Sequence, residues 1–376
     1  MEDQRRNREW YWVSHLQMIR MDRLNCLIDQ MEDPEQIMML TDRELNSLEQ
    51  LSESEKRIIR IHRDNRSMIL ESYEQLSRLG LRYISFEDGE YPKRLRELPD
   101  RPVGLFVKGR LPDNGVPCVA IVGARACSSY GRDCASYFGQ ALSRAGVPVI
   151  SGMAYGIDST AQKAAVKEKG SSYAVLGGGA DICYPKECFE LYQELAAHGG
   201  VISEMLPGTQ GRPWMFTRRN RIISGMSEAV IVVEARERSG SLITANDAAE
   251  QGRLVYAVPG QIDSALSSGC HELIQNGAIL LQKPQEILDD LKMTLEANLE
   301  SAFSAGHVKL SEEERDVYMH LGREPVHLEQ LLAWTAYPAG MLMNLLLQLE
   351  IKGYACQNPQ NYYRKTRLVP PDICVK

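Results

Sequence analysis

From Cys118 onward the chain alternates short apolar runs, rich in β-branched residues, with amphipathic stretches long enough for a helix. The runs lie at 119–122, 147–150, 173–176, 201–203, 230–233 and 254–258. No other feature constrains the fold as much. Strands separated by helices pair in parallel, the helices cover both faces of the sheet, and ligands bind at the carboxyl ends of the strands. The expected fold class is α/β, with an extended Rossmann-like parallel-sheet core, and the loops after those strands are where chemistry is to be sought.

At 376 residues the chain exceeds what one hydrophobic core organises, so two or three domains are expected. Before the core, Trp10, Trp12, Leu16 and Ile19 recur at helical spacing, and Leu45, Leu48 and Leu51 follow at intervals of three. The breakers Tyr91-Pro92 and Leu98-Pro99-Asp100-Arg101-Pro102 mark a connection. After the core, a soft stretch at 301–306 precedes three amphipathic segments and a hairpin pattern around Asn358-Pro359-Gln360-Asn361, which together describe a winged helix. The expected domains are a small helical domain at 1–85, a connection packing on the core at 86–117, the Rossmann-like domain at 118–292, a linker at 293–309 and the winged helix at 310–376.

The chain opens on charged residues without the pattern of a signal peptide, and no apolar run approaches the roughly 18 residues of a membrane span. A cytoplasmic protein without membrane insertion is expected. Nine scattered cysteines with no C-x-x-C pair read as reduced thiols, and Cys183, Cys188 and His198 lack a fourth ligand for zinc, so no metal is expected. A net charge of −7 argues against coating duplex nucleic acid by bulk electrostatics. The core is different: between 119 and 283 basic and acidic residues are equal in number, 15 each. Within it, 205–227 carries Arg212, Arg218, Arg219 and Arg221 and no acid.

Each strand end opens onto a glycine-bearing loop. Gly123-Ala124-Arg125 follows the first, where glycine permits close approach, a helix start offers free N–H groups, and arginine adds a forked phosphate donor. The second, Ser151-Gly152-Met153-Ala154-Tyr155-Gly156-Ile157-Asp158, is expected to place Asp158 or Ser159 as helix N-cap. The third, Gly177-Gly178-Gly179-Ala180-Asp181, leads to Tyr184-Pro185-Lys186. The fourth mixes the arginines with Trp214 and Phe216, and arginines interleaved with aromatics hold single strands without reading sequence. At least one aromatic and at least one arginine are expected to be structural, with Glu204, Glu228 or Glu234 as pairing partner. Neither G-x-G-x-x-G nor G-x-x-x-x-G-K-[ST] occurs, and no nucleophile elbow supports a Ser-His-Asp set, so no cofactor and no catalytic residue are assigned.

Taken together, Gly123-Ala124-Arg125, the loop from Ser151 to Asp158, Arg219-Asn220-Arg221-Ile222-Ile223-Ser224-Gly225, Ser239-Gly240-Ser241-Leu242-Ile243-Thr244-Ala245 and 252–260 resemble the DprA (Smf) family of DNA-processing proteins. The resemblance implies a non-enzymatic single-stranded-DNA binder that protects DNA entering in natural transformation and helps load the RecA recombinase. It also implies a small SAM-like domain before the core and a winged helix after it. The DNA-binding residues it points to are Gly123, Arg125, Ser151, Gly152, Gly156, Lys186, Arg212, Phe216, Arg219, Asn220 and Arg221. A homodimer through the end of the core maps to Leu273, Ile274 and Ile279. The chain departs from the family pattern at Ala124 for Ser, Gln162 for His, Cys188 for Asn and Thr217 for Pro.

Two other classes compete. A Rossmann-like nucleotide hydrolase of the lysine-decarboxylase-like type would use Glu204 or Glu234 as a base. A winged-helix regulator would read duplex DNA with Lys352, Arg364, Lys365 and Arg367.

Overall fold

All six expected runs are strands of one nine-stranded sheet, which we describe from a computed structural model. It covers residues 2–31, 33–291, 310–322, 324–352, 354–358 and 361–365. The strands are β1 (Arg82–Ser85), β2 (Gly104–Gly109), β3 (Val119–Val122), β4 (Val149–Ser151), β5 (Ser172–Val175), β6 (Gly200–Ser203), β7 (Ala229–Val232), β8 (Leu254–Ala257) and β9 (Ile279–Leu280). Their order is β1-β2-β6-β5-β4-β3-β7-β8-β9, with β3 to β9 parallel and β1 and β2 antiparallel to their neighbours. From β3 the chain winds outward to β6, then returns to lay β7 on the other side of β3. The sheet's topological switch point lies between β3 and β7, the place where open α/β sheets bind ligands.

Strands β3 to β7 are buried along their whole length, as a sheet covered on both faces requires. Strands β1 and β2 were concealed by the prolines around them. They extend the sheet beyond β6, where Phe106 of β2 pairs with Ser203.

The described residues divide into two compact units, Met1–Met293 and Thr294–Lys376. In the first, the N-terminal helices share a core with the sheet: Trp10, Trp12, Leu16 and Leu27 join Phe106, Leu195 and Val201 in one buried cluster. The first helix ends at Ser14, so Leu16 and Ile19 reach that core from the turn beyond it. Tyr83 Oη on β1 donates to the Trp10 carbonyl (3.0 Å), and Trp10 Nε1 donates to Glu87 (2.9 Å).

The second unit contains helices Glu312–His320, Leu328–Thr335 and Ala339–Ile351 with strands β10 (Val326–His327), β11 (Ala355–Asn358) and β12 (Tyr362–Lys365). Val317, Leu331, Leu342, Leu346, Leu349 and Tyr354 form its core. The cations expected to read duplex DNA have other contacts. Lys352 Nζ donates to Glu314 (2.6 Å), and Lys365 lies 4.5 Å from the centre of the Tyr318 ring. The third helix bears no basic residue and exposes Met341, Met343, Leu347 and Ile351. Arg367 and the 301–306 stretch lie outside the described residues.

Much of the arginine cluster is internal. Buried Glu204, just past β6, accepts from Arg218 Nε and Nη2 (3.0 and 2.9 Å) and from Arg221 Nη2 (2.6 Å). Arg218 Nη1 also donates to the Gln17 carbonyl (2.9 Å), and Arg221 Nε contacts Asp100 (3.3 Å). The Glu204 carboxylate thus fixes both arginines of the helix Pro213–Gly225, and Arg218 carries the link on to the N-terminal segment. Burial pushes the Glu204 carboxyl up, but Arg221 and Arg218 outweigh it and hold it below the usual carboxylate range.

Removing this carboxylate leaves two guanidinium groups without their partner, so Glu204→Gln is expected to destabilise by about 3–5 kcal/mol in denaturant unfolding. A depressed carboxyl pKa contributes stability above its unfolded value and loses it as pH falls through the folded value. The gap between wild type and Glu204→Gln is therefore expected to narrow as pH is lowered through and below the ordinary glutamate range.

Candidate nucleic-acid interface

The loop after β3 is held from the end of β7. Ala124 N donates to the Glu234 carbonyl (2.7 Å), while Ser128 N and Oγ donate to the Glu234 carboxylate (2.9 and 2.5 Å). Ser128 also caps the next helix, accepting from Gly131 N (3.1 Å). These bonds fix the loop that carries Arg125.

The loop after β4 presses on it. Gly156 has a φ of +81°, and a Cβ there would overlap the carbonyl oxygens of Ala124 and Arg125. Only glycine combines that backbone conformation with that closeness. Gly123 is equally confined, since a Cβ would come within 2.7 Å of the Ile157 side chain. Both glycines shape the packing of loop on loop. Gly156 is the helix N-cap, a correction to the expectation that Asp158 or Ser159 would be. Asp158 instead accepts from Gly152 N (3.1 Å) inside the loop. Gln162 bridges Met153 N and the Tyr173 carbonyl (3.1 and 3.0 Å), so this departure from the family pattern anchors the loop to β5.

Between these loops, at the carboxyl ends of β3 and β7, lies a cavity of about 580 Å³ lined by Gly123, Arg125, Phe216, Arg219 and Asn220. Arg219 is only 6% exposed. Its Nη1 donates to the carbonyls of Gly152 (3.0 Å) and Val175, and its Nε to Asn220 Oδ1 (3.3 Å). Burial lowers its pKa to about 10, with Asp158 opposing and Arg125 assisting, so it stays charged at neutral pH. Asp158 is shifted upward by the same burial, against the pull of Arg219. Asp158 thus acts on Arg219, and the cations left exposed at the cavity are Arg125 and Arg236.

Arg125 is exposed and pairs with no carboxylate among the described residues. Its guanidinium carbon sits 5.7 Å from the centre of the Phe216 ring, within cation–π range. Phe216 in turn lies 5.5 Å from exposed Tyr184, the ring planes 34° apart. Gly177 and Gly211 leave room for the ring, as a Cβ on either would come within 2.7 or 2.8 Å of it. A guanidinium beside two partly exposed aromatic rings is suited to a phosphate and the bases attached to it.

Some expected residues lie elsewhere. Ser151 is fully buried, its Oγ donating to the Ile121 carbonyl (2.6 Å) and tying β4 to β3. Gly152 is buried too, its N–H and C=O both taken within the protein. Arg221 is turned toward Glu204 and Asp100, away from the cavity. All three are corrections to the expected strip: each is bonded internally and presents no donor there. Lys186 and Arg212 are exposed, Arg212 at the N-cap of the helix Pro213–Gly225, and neither lines the cavity. Leu273 and Ile274 pack partly against the core, whereas Ile279 is exposed on the edge strand β9.

The cavity also takes Tyr184, Arg236 and the start of the helix Gly240–Glu250 at Ser239, Gly240 and Ser241. These were not among the assigned binding residues. Their signal was position: Arg236, Ser239, Gly240 and Ser241 follow β7, the other strand at the switch point, and Tyr184 ends the glycine-bearing loop after β5.

Known proteins share the two parts of this fold. The model of the family described as DNA recombination-mediator protein A matches residues 82–292, and that of the DprA winged helix domain matches 304–361. Protein Smf of Escherichia coli is 38% identical over 282 residues, covering 74% of this chain and 75% of the relative. The DNA processing protein DprA of Streptococcus pneumoniae is 43% identical over 235 residues, covering 61% and 83%. The X-ray structure of the S. pneumoniae protein superposes with a TM-score of 0.65 at 33% identity, covering 75% of this chain and 97% of that one. A Helicobacter pylori DprA structure, described as giving insight into that protein's single-stranded DNA binding mode, superposes with a TM-score of 0.50 at 25% identity, covering 56% and 95%. With its core and its winged helix both matched, the chain belongs to the DNA recombination-mediator protein A (DprA/Smf) family.

Proposed function

We propose that the chain binds single-stranded DNA across the carboxyl edge of its sheet, protects it in the cytoplasm, and promotes RecA loading for recombination. The observation that carries this reading is Arg125, free of carboxylate partners among the described residues and placed against Phe216 at the cavity mouth. The single-strand binding described for the H. pylori relative supports it. A strand laid here puts one phosphate at Arg125 and stacks bases on Phe216 and Tyr184, with exposed Lys186 and Arg212 as further phosphate contacts. Binding of this kind does not read sequence, because every base offers a π-face.

The reading is non-catalytic. The two carboxylates that a nucleotide hydrolase would draw on are engaged: Glu204 with Arg218 and Arg221, and Glu234 with Ser128. Incubation with nucleoside monophosphates is expected to release no free base. We further propose a homodimer in which the edge strand β9, with Ile279 and Leu280 exposed, meets its counterpart, while Leu273 and Ile274 support it from behind. Ile279→Glu is expected to give monomers by sedimentation, and an unchanged dimer would overturn that interface.

The direct test is anisotropy of labelled oligo-dT across a salt series. Arg125→Ala is expected to weaken binding about 10-fold or more, the scale of one charged hydrogen bond, and to reduce the salt slope by about 0.7. Phe216→Ala is expected to weaken binding on the same scale with the slope unchanged, since stacking releases no counterion. Equal binding by wild type and Arg125→Ala contradicts the assigned phosphate site. On single strands coated with a single-strand-binding protein, the wild-type chain is expected to accelerate RecA filament formation, and no acceleration contradicts the loading role.

A further inference from the structure

The helix Pro213–Gly225 separates the cavity described above from a second one. Phe216, Arg219 and Asn220 face the first; Trp214, Arg218 and Arg221 face the second; Thr217 lines both. The second cavity, of about 690 Å³, is completed by the segment from Gln17 to Asp22 and by Ile243 and Asp247 of the helix Gly240–Glu250.

Its lining is of a different kind. Three large apolar side chains from three separate elements stand open to solvent in it: Met18 at 68%, Trp214 at 43% and Ile243 at 37% exposure. A single exposed apolar residue is ordinary, but three converging in one concavity mark a binding surface. The charges around them are already matched. Arg218 and Arg221 pair with Glu204, and Arg20 with Asp22. Asp100 and Asp247 add negative charge to the wall, which disfavours a phosphate. Two buried polar atoms of lining residues, Arg221 Nη1 and Gln17 Oε1, have no partner among the described residues. They are a donor and an acceptor, and buried polar groups of native proteins are ordinarily satisfied.

We infer that this second cavity receives a base of the same strand whose phosphate lies at Arg125, the strand crossing the helix at Thr217. An apolar floor, polar edges and no surplus positive charge suit a flat heterocycle and exclude its phosphate. Continuity with the first cavity through Thr217 favours a base of the bound strand over a separate partner's side chain. The inference rests on the single-strand reading above. It adds the N-terminal segment to the binding surface and lengthens the footprint by a nucleotide held through its base.

The test compares oligo-dT with an oligonucleotide of equal length carrying abasic sites, so that the phosphates match and bases are missing. Wild type, Met18→Ala/Ile243→Ala and Arg125→Ala are titrated with both across a salt series. All the truncated side chains are exposed, and thermal melting verifies that each variant folds; Ile243→Ser alone replaces the double variant if it does not. The double variant is expected to lose about 10-fold on oligo-dT, with an unchanged salt slope and little loss on the abasic strand. With 5-iodouracil in the oligonucleotide, photo-crosslinks are expected on the peptides carrying Met18 or Trp214. Undiminished binding by the double variant, or equal loss on both strands with no crosslink, overturns the base site while a weakened Arg125→Ala leaves the phosphate site standing. Failure of wild type to bind oligo-dT, or equal binding by wild type and Arg125→Ala, overturns the phosphate reading itself.

Discussion

The site depends on how closely the loop after β4 presses against the loop after β3. Gly156 lets the first loop reach the carbonyl oxygens of Ala124 and Arg125, and the Ile157 N–H meets the Ala124 carbonyl there (3.3 Å). From the other side, Glu234 holds Ser128 and Ala124. Arg125 is left at the mouth of the cavity on a backbone gripped from two directions. Prior ordering of that kind keeps the conformational cost of binding low. The same contact explains the conformation of the second loop, whose Gly152 and Met153 are held by Asp158 and Gln162.

On the proposed reading, an acidic chain holds a polyanion because its positive charge is sorted. Of the four arginines between 212 and 221, Arg218 and Arg221 meet Glu204, and Arg219 is bonded to carbonyls beside Asp158. Arg219 builds the wall of the first cavity, Arg218 and Arg221 line the second, and Arg218 ties the helix to the N-terminal segment through the Gln17 carbonyl. The exposed cations, Arg125 and Arg236 at the cavity and Lys186 and Arg212 around it, form no ion pair among the described residues. On the same proposed reading, specificity for single strands would come from the rings of Phe216 and Tyr184, which a duplex with its bases stacked inside cannot use.

The strands were legible because a buried parallel sheet demands apolar runs, and β3 to β8 all carry one. Strands β1 and β2 were hidden, since they lie among prolines outside the strand-helix alternation and pair antiparallel, with β1 at the edge of the sheet. At the site, the loops were legible and the side-chain directions were not. Charge clustering marked the Arg212 to Arg221 segment, but a helix turns successive residues to different faces, and only packing decides that Arg221 points at Glu204 while Phe216 points at Arg125. Ser151 looked like a ligand-side hydroxyl because it ends a strand; the missing knowledge was that the Ile121 carbonyl lies opposite.

Hydrogen exchange with and without oligo-dT tests the central claim most directly. Slowed exchange is expected in the loops after β3 and β4, at the start of the helix Pro213–Gly225 and at the start of the helix Gly240–Glu250, with the winged-helix unit unchanged. Protection confined to the winged helix, with those four segments exchanging as in the free protein, would contradict the account.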